Sequence, residues 1–102
     1  MPDGLGRTTE NEFAEVVLRI LVGQPNGSAA FSTIIAEIPH HINLTPADLA
    51  GSETRPNEAV WEQRVRNIKS HKNAEGNYIN SGYLMEIEGG LALTNAGRQR
   101  VT

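Results

Sequence analysis

Apolar residues recur along this chain with a helical period through its first two thirds and with an extended one after that. Phe13, Val16, Val17, Ile20 and Leu21 stand at i, i+3, i+4, i+7 and i+8, which predicts an amphipathic helix ending at Gly23. Thr9 and Glu12 precede it with the spacing of a capping box. Its outer face carries Glu12, Glu15 and Arg19. Gln24-Pro25-Asn26-Gly27 has the residue chemistry of a turn. A second helix is expected from a Ser28 cap through Phe31, Ile34, Ile35 and Ile38, stopped by Pro39, which disfavours helical geometry at the residue before it. Thr45-Pro46-Ala47-Asp48-Leu49 reads as a short helix, with a Thr cap and Pro at the first helical position.

Residues 55–72, RPNEAVWEQRVRNIKSHK, carry the third long helical pattern. Trp61, Val65 and Ile68 fall on one face at i, i+4 and i+7. Gln63, Arg66, Asn67 and Ser70 fall on the opposite face, with Arg64, Lys69 and Lys72 around the apolar stripe. Asn57 or Thr54 is its cap. The apolar triad is expected to pack against Phe13, Val17, Ile20, Ile34, Ile35 and Leu93.

Beyond Lys72 the period shortens. Residues 73–77 are turn-rich, and Tyr78-Ile79 and Tyr83 through Glu88 can run extended. Gly89-Gly90 can supply the positive φ angles of a tight hairpin, and Leu91-Ala92-Leu93 returns. Thr94 can cap a last short helix over residues 95–101. Three helices with a short extra one, then a β-hairpin and a short C-terminal helix, give a mainly helical α+β class with the order of a winged helix-turn-helix. In that arrangement the third helix reads DNA and the hairpin is the wing. Residues 1–8 are expected to be a flexible terminus and residues 9–102 a single domain.

The 102 residues hold 38% hydrophobic side chains, enough for one core. No cysteine is present, which removes disulfides and thiolate metal sites. No apolar run reaches the ~18 residues of a membrane span and no signal-peptide pattern opens the chain, so a cytoplasmic location is expected. The net charge of −3 argues against nucleic acid until its distribution is read. Residues 1–53 hold 2 basic and 7 acidic side chains, whereas residues 54–102 hold 7 basic and 5 acidic ones. The basic excess sits where the third helix is predicted.

The second half resembles a known family, the N-terminal winged-helix domain of Mrr-type restriction endonucleases. Trp61, Arg64-Val65-Arg66-Asn67-Ile68, Ser81-Gly82-Tyr83-Leu84 and Gly89-Gly90-Leu91-Ala92-Leu93-Thr94-Asn95-Ala96-Gly97-Arg98 carry the resemblance. It implies a winged helix-turn-helix and a DNA-binding module associated with restriction-modification or regulation in a bacterial-type cell. Two departures limit what it transfers. Glu86 and Glu88 stand in the hairpin, where a phosphate-touching wing favours Arg or Lys. No Asp…Glu-x-Lys arrangement is present to hold a nuclease metal, so hydrolysis is not carried over.

Other catalytic patterns are equally lacking. The chain has no G-x-S-x-G, no Gly-rich phosphate loop and no H-E-x-x-H. His40-His41 point to different faces, with the third histidine distant at 71, so no metal site, cofactor or enzyme activity is expected. The favoured partner is duplex DNA. Gln63, Arg66, Asn67 and Ser70 would face bases, while Arg64, Lys69, Lys72, Arg98 and Arg100 would touch phosphates. The alternative is a winged-helix module that dimerises or binds protein, suggested by the negative net charge and the two wing glutamates.

Overall fold

In the computed structural model, which describes residues 9–51 and 59–101, the first capping box forms as its spacing requires. The Glu12 N–H donates to Thr9 Oγ1 at 3.2 Å and the Thr9 N–H donates to the Glu12 carboxylate at 3.0 Å. Helix α1 then spans Glu10–Val22 and ends at Gly23. It buries Phe13, Ala14, Val16, Val17, Leu18, Ile20 and Leu21, more than any other element, and the rest of the domain packs around it.

A 3-10 turn at Pro25–Gly27 follows, with Asn26 and Gly27 in the left-handed region. Ser28 does not cap a helix, as the sequence suggested; it opens strand β1, Ser28–Ala30. Helix α2 starts three residues later and spans Phe31–His41. Pro39 lies inside α2 instead of stopping it at Ile38. Proline removes one N–H from the helical ladder, but the ladder resumes when the Ile42 N–H donates to the Ile38 carbonyl at 3.2 Å.

Helix α3, Pro46–Leu49, is fixed by a second capping box between Thr45 and the fully buried Asp48. Helix α4 spans Val60–Ser70, shorter than the 55–72 pattern. The two candidate caps, Thr54 and Asn57, lie outside the described residues, as do Arg55 and residues 1–8. At the observed start, the Ala59 N–H donates to the Glu62 carboxylate at 3.4 Å. The chain on either side of residues 52–58 is closed by an antiparallel bridge between Gly51 and Ala59.

Tyr78-Ile79 are not extended. Buried Asn77 organises a series of turns there: its Nδ2 donates to the Ile68 carbonyl at 2.9 Å, and its Oδ1 accepts from the Ile79 N–H at 2.8 Å. One side chain thus ties the last turn of α4 to the approach of the hairpin. Strands β2, Leu84–Ile87, and β3, Gly90–Leu93, pair antiparallel. β1 adds to the free side of β3, giving the order β1-β3-β2. Only Gly89 of the glycine pair takes a positive φ, at 70°. Gly90 serves another need, because a Cβ there would lie 2.8 Å from Ala30 Cα and closer still to the Ala29 carbonyl. Glycine at 90 is what lets β1 approach β3.

Helix α5, Asn95–Val101, closes the fold, and the Gly97 N–H donates to the expected Thr94 cap at 3.1 Å. Trp61, Val65 and Ile68 are buried against the cluster that includes Phe13, Val17, Ile20 and Ile34, with Ile35 and Leu93 partly buried at its edge. The Phe13 and Trp61 ring centroids stand 6.4 Å apart. The architecture is α+β and mainly helical, with one small antiparallel sheet. Among the described residues no helix is long and apolar enough to cross a membrane.

Candidate nucleic-acid interface

Burial of Trp61, Val65 and Ile68 fixes the rotation of α4 about its axis. At 100° per residue, Gln63 and Ser70 then point almost directly away from the core, flanked by Arg66 and Asn67. Ser70 is exposed and the other three are half-buried. Arg66 reaches the start of α2, where its guanidinium carbon lies 5.8 Å from the centroid of the Phe31 ring. Two amides, a hydroxyl and a guanidinium therefore share one side of one helix. These are the groups that can pair with base edges.

The lysines have other work. Lys69 Nζ donates to the Ile87 carbonyl at 3.3 Å, and Lys72 Nζ donates to the Glu86 carboxylate at 2.8 Å. Lys72 stands beyond the end of α4, in the turn. Both lysines thus fasten the C-terminal end of α4 to strand β2. The Lys72 ammonium holds the Glu86 carboxyl below its ordinary range. The hairpin itself is short, with four-residue strands and a turn at Glu88-Gly89. Its tip lies against α2, where the Phe31 N–H donates to the Gly89 carbonyl at 2.9 Å.

The C-terminal arginines are placed at the far end of the sheet. Arg98 Nη2 lies 2.8 Å from where a Cβ on Gly27 would stand, beside Leu93. Leu93 pairs with Leu84 at the open end of the hairpin, three residues along from the Ile87–Gly90 pair near which Lys69 binds. Three residues of strand span about 10 Å. Arg100 Nε donates to Glu15 Oε2 at 2.9 Å and its guanidinium stacks over Tyr83 at 4.9 Å and Tyr78 at 5.4 Å. The Tyr78 hydroxyl donates to the same Glu15 oxygen at 2.8 Å. Partial burial raises Glu15, but the hydrogen bonds from Arg100 and Tyr78 outweigh it and hold the carboxyl below its ordinary value. Burial, and then the Glu15 carboxylate, push the Tyr78 phenol up.

The nine expected DNA contacts therefore divide. Gln63, Arg66, Asn67 and Ser70 share the outer side of α4. Arg64 lies on its flank, beside the buried stripe. Lys69 and Lys72 join α4 to the hairpin. Arg98 and Arg100 stand on α5 with different neighbours, Arg98 near Gly27 and Leu93 and Arg100 on Glu15 and the two tyrosines. Sequence reasoning missed Phe31 beneath Arg66, the Glu86 partner of Lys72, and Glu15 with the two tyrosines around Arg100. All three join residues far apart in the chain. Of the histidines, His40 and His41 are exposed at the end of α2, and His71 Nδ1 lies 2.8 Å from a Glu10 carboxylate oxygen. Comparison with protein-family models, curated proteins and solved structures gives no match to this chain.

Proposed function

We propose that the chain is a winged-helix module that binds duplex DNA, with α4 in the major groove. The observation that carries the reading is the division of α4. Three buried side chains hold one side to the core, and Gln63, Arg66, Asn67 and Ser70 stand together on the other. Support for the winged-helix assignment comes from the order α1-β1-α2-α3-α4-β2-β3 and the sheet order β1-β3-β2. These bring α2 and α4 against each other and set the hairpin beside them. In such a module the helix reads bases while cations at its margins hold phosphates. Here the hairpin is short and acidic, so α4 carries the recognition and the wing adds little.

The test is titration of the chain against random and selected duplex pools at two salt concentrations. Binding that weakens with salt, together with enrichment of a preferred sequence, is the expected result. Retention of neither pool would remove DNA as the ligand. A protein-binding role would then lead, favoured by the pairing of Lys72 and Arg100 with internal carboxylates and by the net charge of −3.

A further inference from the structure

The contact between Lys72 and Glu86 joins the end of the reading helix to the wing, and it is built from groups that DNA would also engage. A carboxylate and a phosphate oxygen accept the same charge-assisted hydrogen bond from an ammonium. Lys72 Nζ stands 2.8 Å from Glu86 Oε1, with the two side chains 43% and 39% exposed, so the pair lies open to a competing anion. Lys69 binds the next carbonyl along the strand, that of Ile87, which keeps this part of β2 beside the end of α4.

We infer that Glu86 limits how tightly the chain holds duplex DNA, by occupying the Lys72 ammonium as an internal stand-in for a backbone phosphate. The inference rests on the DNA-binding reading above. An incoming phosphate must displace the carboxylate before Lys72 can contribute, and Glu86 then remains nearby as an uncompensated negative charge. An exposed pair of this kind contributes little to folding, so it can be opened without loss of the domain. Its effect falls on the sequence-independent part of binding. Gln63, Arg66 and Asn67 lie on the outer side of α4 and take no part in this pair.

The test uses the full chain and a random-sequence duplex in a salt series, with the wild type and the variants Glu86→Gln, Lys72→Met, Glu86→Gln/Lys72→Met and Glu88→Gln. Glu88 lies two residues away in the hairpin turn and its replacement removes the same charge. The expected result is that Glu86→Gln tightens binding up to about ten-fold at roughly 0.1 M salt and steepens the dependence of log K on log salt by about 0.9, the change for one added phosphate contact. Most of that gain should disappear when Lys72 is methionine, and Glu88→Gln should not reproduce it. An equal gain in the Lys72→Met background, or from Glu88→Gln, would mean simple charge repulsion and would overturn the inference. If the wild type binds and Glu86→Gln leaves both quantities unchanged, the inference falls while the DNA reading stands. If neither protein binds duplex at low salt, both fall.

Discussion

Helices α1 and α4 are 13 and 11 residues long and both are amphipathic, yet they stand in the domain in opposite ways. The buried residues of α1 run from Val16 round to Leu18, an arc of about 200° at 100° per residue. Those of α4, from Ile68 to Val65, cover only about 60°. A helix buried over so wide an arc is spent on the core, since almost any polar group placed there would need a buried partner. Helix α4 is held by three buried side chains, and its other side chains are half-buried apart from the exposed Ser70. The 55–72 pattern carries the most distinctive side-chain chemistry of the chain. The packing is organised by α1, which touches α2, α4, α5 and β3.

The largest effects should therefore come from the side chains joining the two helices. Phe13→Ala and Trp61→Ala should each cost about 3–5 kcal/mol, the range for aromatic truncation in a core. Such a loss is a large part of the stability of so small a domain. Because the rings face each other at 6.4 Å, the double variant should cost less than the two losses combined. Urea titration of the three variants measures this. A small shift for Trp61→Ala with a large one for Phe13→Ala would show that α4 is held less firmly than its burial indicates.

How much of this was legible in the sequence depended on the range of the interaction. Helix starts fixed by residues three apart, Thr9 with Glu12 and Thr45 with Asp48, could be read directly. So could the core face of α4. Strand β1 could not, because Ser28-Ala29-Ala30 has no β-branched or aromatic residue and is extended only because β3 offers it an edge. The Tyr78 region was misread for a related reason: the Asn77 side chain reaches back nine residues to Ile68 and imposes turns where the apolar pattern favours a strand. The amide and guanidinium side of α4 followed from periodicity alone. What the cations at its margins do was hidden, since Arg100 finds Glu15 across 85 residues. A surface charge has no periodicity to reveal its partner.

The next effect concerns the side of α4 opposite its buried stripe. Arg66→Ala should cost about 1–3 kcal/mol on a preferred duplex and little on random DNA, because a guanidinium can bond guanine O6 and N7 together. Equal loss on both pools would reduce Arg66 to a phosphate contact. Isothermal titration with each duplex separates the two results.

On α1, Glu15 is the outward carboxylate that holds the Arg100 and Tyr78 contacts. Its folded-state pKa is lowered, so its pairing stabilises the domain above the ordinary carboxylate range and is lost as the pH falls through the lowered value. Glu15→Gln should therefore flatten the acid side of the stability profile below about pH 4.5, by no more than about 1 kcal/mol for so exposed a pair. An unchanged acid limb in thermal melts would mean that the Arg100 and Tyr78 contacts do not persist in solution.

The smallest effects sharpen the contrast most, because they set stability aside. Arg19 on α1 and Ser70 on α4 are both exposed, and neither belongs to the core. Replacing either with Ala should change stability by less than about 0.5 kcal/mol, as surface substitutions do. Their effects on DNA should differ. Ser70 lies on the outer side of α4, where a hydroxyl can bond a base edge or a phosphate, so its loss should weaken binding measurably. Arg19 is a cation, and general attraction to a polyanion would make its loss the more damaging of the two. Placement predicts the reverse, since no part of α1 is proposed to meet the duplex. Fluorescence anisotropy at moderate salt decides between them: a larger loss for Arg19→Ala than for Ser70→Ala would mean that charge, and not the outer side of α4, determines where DNA binds.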